Sequence, residues 1–186
     1  QLGVYGHSES RQDLRDRPAV SISDLVQPGE ELGAGADRAV LATGRYVDEG
    51  HVTVPARVHE GVLGDYLVAA LRTSDGGMLT VLRGWADDRD DTVGTVPGGE
   101  VTVTGHLLSP ETAADTALSD ADLSTGEIRF VAPEPVATRT GLPEDQFYPG
   151  YLLLEDEQPR PADSPELLDL GVVDPIGKVS PWQNMS

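Results

Sequence analysis

The sequence predicts a mainly β (α+β) chain: a small antiparallel barrel or sandwich of six to seven strands with short peripheral helices. Three observations carry that expectation. From Arg38 onward, short runs of strand-forming residues alternate with turns rich in Gly, Asp and Pro. The clearest pair, Asp65 to Thr73 and Met78 to Trp85, is joined by Ser74-Asp75-Gly76-Gly77, a strong hairpin signal. A length of 186 residues with a 38% hydrophobic share is enough to bury a core.

The chain divides into an N-terminal helical and linker segment at 1–36, a β-rich core domain at 37–157 and an extended tail at 158–186. Glu9 to Arg17 alternates charges at i,i+4 spacing, which suits an exposed helix that Pro18 stops. Ser21 to Val26 reads as one or two helical turns with Ser21 or Ser23 as N-cap, and Gly29 to Ala36 as a loop. Arg38 to Val47 is the first strand. Asp48-Glu49-Gly50 is a candidate three-residue hairpin turn into His51 to Val58, where Val52 and Val54 alternate. After the pair already named, an acidic loop from Asp87 to Thr95 leads through Val96-Pro97-Gly98-Gly99 into Glu100 to Leu108. There Val101, Val103 and Gly105 alternate with Thr102, Thr104 and His106, the pattern of a half-buried strand. Pro110 to Ser124 reads as loop with some helix, and Glu127 to Val131 as a short strand. Pro133 to Gly141 reads as a short helix, with Pro near its start and Gly at its end. Tyr148 to Glu155 supplies the last strand, and the tail from Gln158 is rich in Pro and Asp.

Thirty-two acidic residues against 13 basic ones give a formal net charge of −19. That balance excludes a general nucleic-acid binder, which needs clustered Lys and Arg to displace counterions from phosphates. It also disfavours electrostatic docking on anionic lipid. The absence of cysteine removes disulfides, thiolate metal sites and cysteine nucleophiles together. Lys178 is the single lysine beside twelve arginines, a bias that needs no functional explanation. No run of 18 or more apolar residues is present, so no helix-spanning segment is expected. No signal-peptide pattern is seen, and a first residue of Gln1 rather than Met points to a processed product or an excised fragment.

A search for chemistry finds little. His7, His51, His59 and His106 show no metal-ligand spacing, and each reads as a surface histidine; His51 and His59 flank one strand. Asp87-Asp88-Arg89-Asp90-Asp91 lacks the ligand pattern of a calcium loop and reads as a solvated connection. There is no Gly-x-Ser-x-Gly elbow and no Ser-x-x-Lys, and Gly94 to Gly99 is not in the strand-to-helix context of a dinucleotide loop. No catalytic residue and no metal ligand is assigned. The segment Leu79-Thr80-Val81-Leu82-Arg83-Gly84-Trp85 stands out: an Arg beside a Trp offers carboxylate or cation–π recognition, and Gly84 allows a bend or a close backbone approach. The alternative is a strand end whose Trp caps the core and whose Arg pairs locally.

At this segment the sequence resembles the Surfeit-locus-protein-one family of cytochrome c oxidase assembly factors. The family carries Gly-Tyr-x-Val-x-Thr-Pro-Leu, an Asp-Gly turn, and Val-Leu-Val-x-Arg-Gly-Trp. Here Gly64-Asp65-Tyr66-Leu67-Val68-Ala69-Ala70-Leu71 is followed by Asp75-Gly76 and then Leu79 to Trp85, with Ala69-Ala70 in place of Thr-Pro. Val40-Leu41-Ala42-Thr43-Gly44-Arg45-Tyr46 is similar to the family's Val-x-Val-x-Gly-x-Tyr/Phe, and Val101-Thr102-Val103-Thr104-Gly105 with Glu111 to its Val-x-Val-x-Gly…Glu. Tyr148-Pro149-Gly150-Tyr151 fits a later part. Leu2-Gly3-Val4-Tyr5-Gly6 and Trp182-Gln183-Asn184-Met185-Ser186 resemble the exit of the first and the approach to the second membrane helix.

The resemblance implies the extracytoplasmic domain of a membrane protein, on the periplasmic or outer face of the cell membrane between two membrane helices. It implies a non-enzymatic factor that supports haem a insertion or maturation of oxidase subunit I, with subunit I or the oxidase complex as partner. No cofactor is expected in this domain; haem a would belong to the full-length membrane protein. Arg83 and Trp85 become candidates for cofactor contact near haem propionates, and Tyr66, Arg83, Gly84 and Trp85 for partner contact. The alternative is an extracytoplasmic β-barrel that binds a ligand or protein and has no oxidase role.

Overall fold

A computed structural model describes residues 10–87 and 95–174. One sheet contains seven strands: β1 (Val20–Ser21), β2 (Ala39–Tyr46), β3 (Val52–His59), β4 (Val62–Thr73), β5 (Met78–Asp87), β6 (Val101–Leu108) and β7 (Tyr151–Gln158). The helices among the described residues are short: α1 (Arg11–Asp16), α2 (Pro133–Thr140) and α3 (Leu170–Val173). The strand order is β1-β2-β6-β7-β5-β4-β3, and a further pairing of β2 with β4 closes the sheet. Strands β2, β6, β7, β5 and β4 thus form a barrel wall. The mainly β expectation holds, and the architecture is the barrel.

Closure depends on the length of β4. Val62 to Val68 pair with β3, and on the same edge Leu71 to Thr73 pair with Tyr46 to Gly44 of β2. Wall strands meet at close range at two glycines: a Cβ on Gly44 would stand 2.1 Å from the Arg72 carbonyl oxygen at the β2–β4 closure, and one on Gly105 would stand 1.9 Å from that of Leu153 between β6 and β7. Each glycine ends one of the Val-x-Val-x-Gly-like runs, so a side chain at either position would push two strands apart.

The barrel interior is filled from all five wall strands, by Val40 and Ala42, Leu71, Val81, Val103, and Leu152 with Leu154. A second apolar layer lies outside the wall, where Val68, Met78, Leu82 and Leu153 pack against Ile128, Val131, Phe147 and the Val136–Ala137 face of α2. Strand β5 is therefore covered on both faces, which explains its unbroken apolar run. Helix α2 follows its sequence signals, with Pro133 in the first turn and Gly141 closing the helix at φ 79°.

Several expectations require correction. β2 and β3 form no hairpin: Asp48–Gly50 is a 3-10 turn that runs along the edge of β4 between the stretches paired with β2 and β3, with Gly50 packed against Ala70. β3 pairs instead with β4 through Glu60 and Gly61, both at positive φ, so β4 begins at Val62 rather than Asp65. The barrel is not wholly antiparallel, because β5 and β7 run parallel at Val81–Leu152 and Leu82–Leu153. Glu127 to Val131 makes only an isolated bridge between Glu127 and Thr53. Its buried residues Ile128 and Val131 are three apart, a spacing that an extended strand does not keep on one face. Strand β7 starts at Tyr151, after Gly150 at φ 74°. Val20–Ser21 adds a short parallel pairing with β2 ahead of the Ile22–Asp24 turn. The tail includes α3.

Helix α1 begins in a Ser10–Asp13 capping box and is not simply exposed. Arg15 is buried, pairing with Asp37 and Asp174 at 2.9 Å each, and Arg11 reaches the same two carboxylates. The alternating charges of the sequence thus serve a docked face. His106 of β6 completes the contact: Nε2 lies 2.9 Å from the Arg15 carbonyl oxygen and Nδ1 lies 2.7 Å from Glu155 Oε2. Both partners accept, so only the doubly protonated ring satisfies both. The hydrogen bond to Glu155 accordingly raises the His106 pKa, against partial burial.

A raised native pKa contributes stability that is complete below the ordinary imidazole value, about 6.5, and is lost as pH rises through the native value. Urea unfolding across that window is expected to show wild-type stability falling relative to His106→Gln. A constant difference between the two proteins would contradict the assignment.

Candidate functional site

Strand β5 directs Leu79 and Val81 into the barrel, and the next residue on that face is Arg83. A bulge opposite Leu67 and Val68 leaves Arg83 unpaired in the ladder, and its side chain is 1% exposed. It meets Glu157 of β7, which is wholly buried and stands across from Val103. The contact is a two-pronged fork: Nε to Oε2 at 3.0 Å and Nη2 to Oε1 at 2.6 Å. Nη1 donates to the Thr95 carbonyl oxygen at 3.1 Å. Arg160 adds a second guanidinium, 3.0 Å from Glu157 Oε1, and donates to the Pro165 carbonyl oxygen at 2.6 Å. The Tyr46 hydroxyl donates to Glu157 Oε2, and the Arg83 guanidinium lies 5.3 Å from the Tyr46 ring centroid.

Electrostatics keep Tyr46 neutral and Arg83 charged. Burial, then the Glu157 charge, pushes the Tyr46 phenol well above its ordinary value, so it remains a neutral donor. Burial opposes the charge on Arg83, but the Glu157 and Tyr46 contacts outweigh it and its pKa rises. For Arg160, burial outweighs Glu157 and the pKa falls, although a guanidinium stays protonated in any aqueous fold.

Gly84 and Trp85 serve the same purpose by backbone contact. Gly84 adopts φ 149°, and a Cβ there would sit 2.3 Å from the Glu166 carbonyl oxygen. Trp85 and Glu166 exchange main-chain hydrogen bonds at 2.8 and 2.9 Å. The Trp85 indole N–H donates to the Arg57 carbonyl oxygen at 2.9 Å, and its ring lies 5.2 Å from that of His59. His59 Nε2 in turn lies 2.7 Å from Glu166 Oε2. Leu168 then enters the outer apolar layer. Arg83, Gly84 and Trp85 together hold the chain after β7 as a strap across the end of the barrel.

Tyr66, paired with Trp85 across the β4–β5 ladder, lies under the Arg57 guanidinium at 4.8 Å. Arg57 grips Glu111 at 2.8 and 2.9 Å, and Glu111 Oε1 also accepts from the Val131 amide at 2.9 Å. Burial raises the Tyr66 pKa. The structure therefore brings Tyr66, Gly84 and Trp85 together and turns Arg83 to the interior. Sequence reasoning missed Glu157, Arg160, Tyr46 and Arg57; Tyr46 and Glu111 lay within motifs already noticed, but nothing distinguished Glu157 from its acidic neighbours.

The histidines also need correction. Only His51 is exposed among the described ones; His59 and His106 are each 9% exposed and hydrogen-bonded. His51 and His59 lie at opposite ends of β3. His7 and the Asp88–Asp91 part of the acidic run fall outside the described residues. One group among the described residues has metal-ligand geometry: His59, Glu60 and Glu166, with donor atoms within 4.8 Å of one another. The two carboxylates are largely exposed, and the His59–Glu166 contact already serves the strap.

Fold and site define a small β-barrel with a strapped Arg-Gly-Trp strand end. The sequence model of the SURF1 family matches residues 1–186, and the chain belongs to that family. The family is known for cytochrome c oxidase assembly; it is an assembly-factor family rather than an enzyme family, and is in general membrane-associated. No curated protein matches the chain. Among the described residues, no helix is long and apolar enough to cross a membrane.

Breaking the buried cluster is expected to be costly. Glu157→Gln leaves two guanidinium groups facing a neutral amide and should lower the unfolding free energy by about 3–5 kcal/mol. Arg83→Met should also destabilise, and the double variant should cost at least about 1 kcal/mol less than the two single effects added. Additive effects in urea denaturation would show that the two side chains do not depend on each other.

Proposed function

We propose that the chain is the extracytoplasmic domain of a cytochrome c oxidase assembly factor, tethered at the cell membrane by helices on both sides. In this reading it supports haem a insertion or maturation of oxidase subunit I and performs no chemistry of its own. The family match along residues 1–186 carries the reading. The geometry supports the tether: α1 and the segment ending at Asp174 meet in the Arg11–Arg15–Asp37–Asp174 cluster, so the two ends of the described chain lie side by side on the barrel. That adjacency suits two helices that enter one membrane.

Haem a belongs, in this reading, to the membrane part rather than to the barrel. The ring nitrogens of His106 and Nε2 of His59 are already engaged, which supports that division. Tyr66, Gly84 and Trp85 take part in partner contact through the surface that the strap shapes. Arg83 is a positioning residue, because direct contact with a haem propionate or a partner would require Glu157 to release it.

Deletion of the gene for the full-length protein tests this reading. Oxidase activity and haem a absorbance in membranes should fall together and return on complementation, while an upstream respiratory complex keeps its activity. Normal oxidase activity and haem a content in the deletion strain would contradict it.

A further inference from the structure

Apart from the Arg83–Gly84–Trp85 region, the barrel carries an open groove of about 790 Å³ between the 29–32 loop, the start of α2 and the 144–150 segment. Its floor is apolar, formed by Leu32, Phe130, Ala132, Phe147 and Tyr148. Its rim carries Glu30, Glu31, Glu134, Glu144 and Asp145, all exposed. No Lys, Arg or His is among the residues that line it. Glu30 accepts from the Gln27 amide at 2.8 Å, and no salt bridge among the described residues engages any of the five. The carboxylates come from three separate parts of the chain and converge on one apolar trough.

The walls are tied together in the free protein. The Gly29 amide donates to the Phe147 carbonyl oxygen at 3.0 Å, and the Tyr148 amide to that of Met78 at 2.8 Å. Glu111 and Val131 bond each other twice at 2.9 Å. The groove is thus preformed and needs little ordering on binding.

We propose that this groove docks a basic peptide segment of a partner protein, with Leu or Phe side chains in the trough and flanking Arg or Lys side chains on the rim. The apolar centre and charged rim have the anatomy of a protein interface. A small-molecule site would need polar groups converging on its floor, whereas Glu111 is already held by Arg57 and the Val131 amide. Five clustered carboxylates repel one another and draw in a cation. The proposal does not depend on the oxidase reading.

The test is fluorescence anisotropy on the 186-residue chain with a labelled Arg-Leu-Arg-Phe-Leu-Arg peptide. Saturable binding that weakens with added salt is expected. Counterparts with Glu in place of Arg, or Ser in place of Leu and Phe, should not bind. The Glu31→Lys/Glu144→Lys double variant should weaken binding about tenfold, on the order expected for two rim charges reversed. Asp24→Lys/Asp75→Lys makes the same change in net charge outside the groove and should stay within about twofold of wild type. Circular dichroism confirms that both variants are folded. Failure of the basic peptide to bind, equal binding of either counterpart, or equal loss in the two double variants would overturn the proposal.

Discussion

Glu157 is a carboxylate with no exposure to solvent, inside a barrel whose other contents are largely apolar. Burying such a charge alone costs several kcal/mol, and a partner restores it only when its hydrogen-bonding capacity is filled. Here Arg83 and Arg160 supply two guanidinium groups and Tyr46 a hydroxyl donor. These four residues join β2, β5, β7 and the chain beyond β7 at one end of the interior. An acidic protein of net charge −19 thus places one of its few cations inside and a second, half-buried, at the rim, where they determine how the barrel ends.

The strap follows from that constraint. Once Arg160 is held at Glu157, the chain beyond it turns back over β5, and Trp85 and Glu166 pair through their main chains. Gly84 is required because the Glu166 carbonyl occupies the place of a side chain. The Arg-Gly-Trp element can therefore be distinctive in sequence without presenting its Arg to solvent. At the opposite side of β7, Glu155 points out to His106 and the docked α1.

Local structure was legible where turn chemistry and periodicity agreed. The β4–β5 hairpin across Ser74–Gly77 and the Pro133–Gly141 helix could be read directly, as could the half-buried alternation of β6. Long-range facts were not. The parallel β5–β7 pairing has no local signature, and the closing contact of β2 with β4 depends on β4 continuing past β3. The partner of Arg83 was hidden by a bulge. Leu152 and Leu154 face inward, which by strict alternation would turn Asp156 in; the extra residue Glu155 shifts the parity and turns Glu157 in instead. Arg83, Gly84 and Trp85 were identified as a unit, but their role in holding the strap required Glu166, more than eighty positions away.

The chain belongs to the SURF1 family, and its barrel carries two separate features. The buried cluster sets the strapped end, and the apolar groove lies in a different set of loops. The central claim is that Arg83 and Glu157 hold the strap in place. Hydrogen exchange of the Arg83→Met protein tests it most directly. The account predicts a larger loss of protection at the paired Trp85 and Glu166 amides than at barrel amides such as Ala69 and Val81. Unchanged protection at Glu166, or an equal loss across the whole barrel, would contradict it.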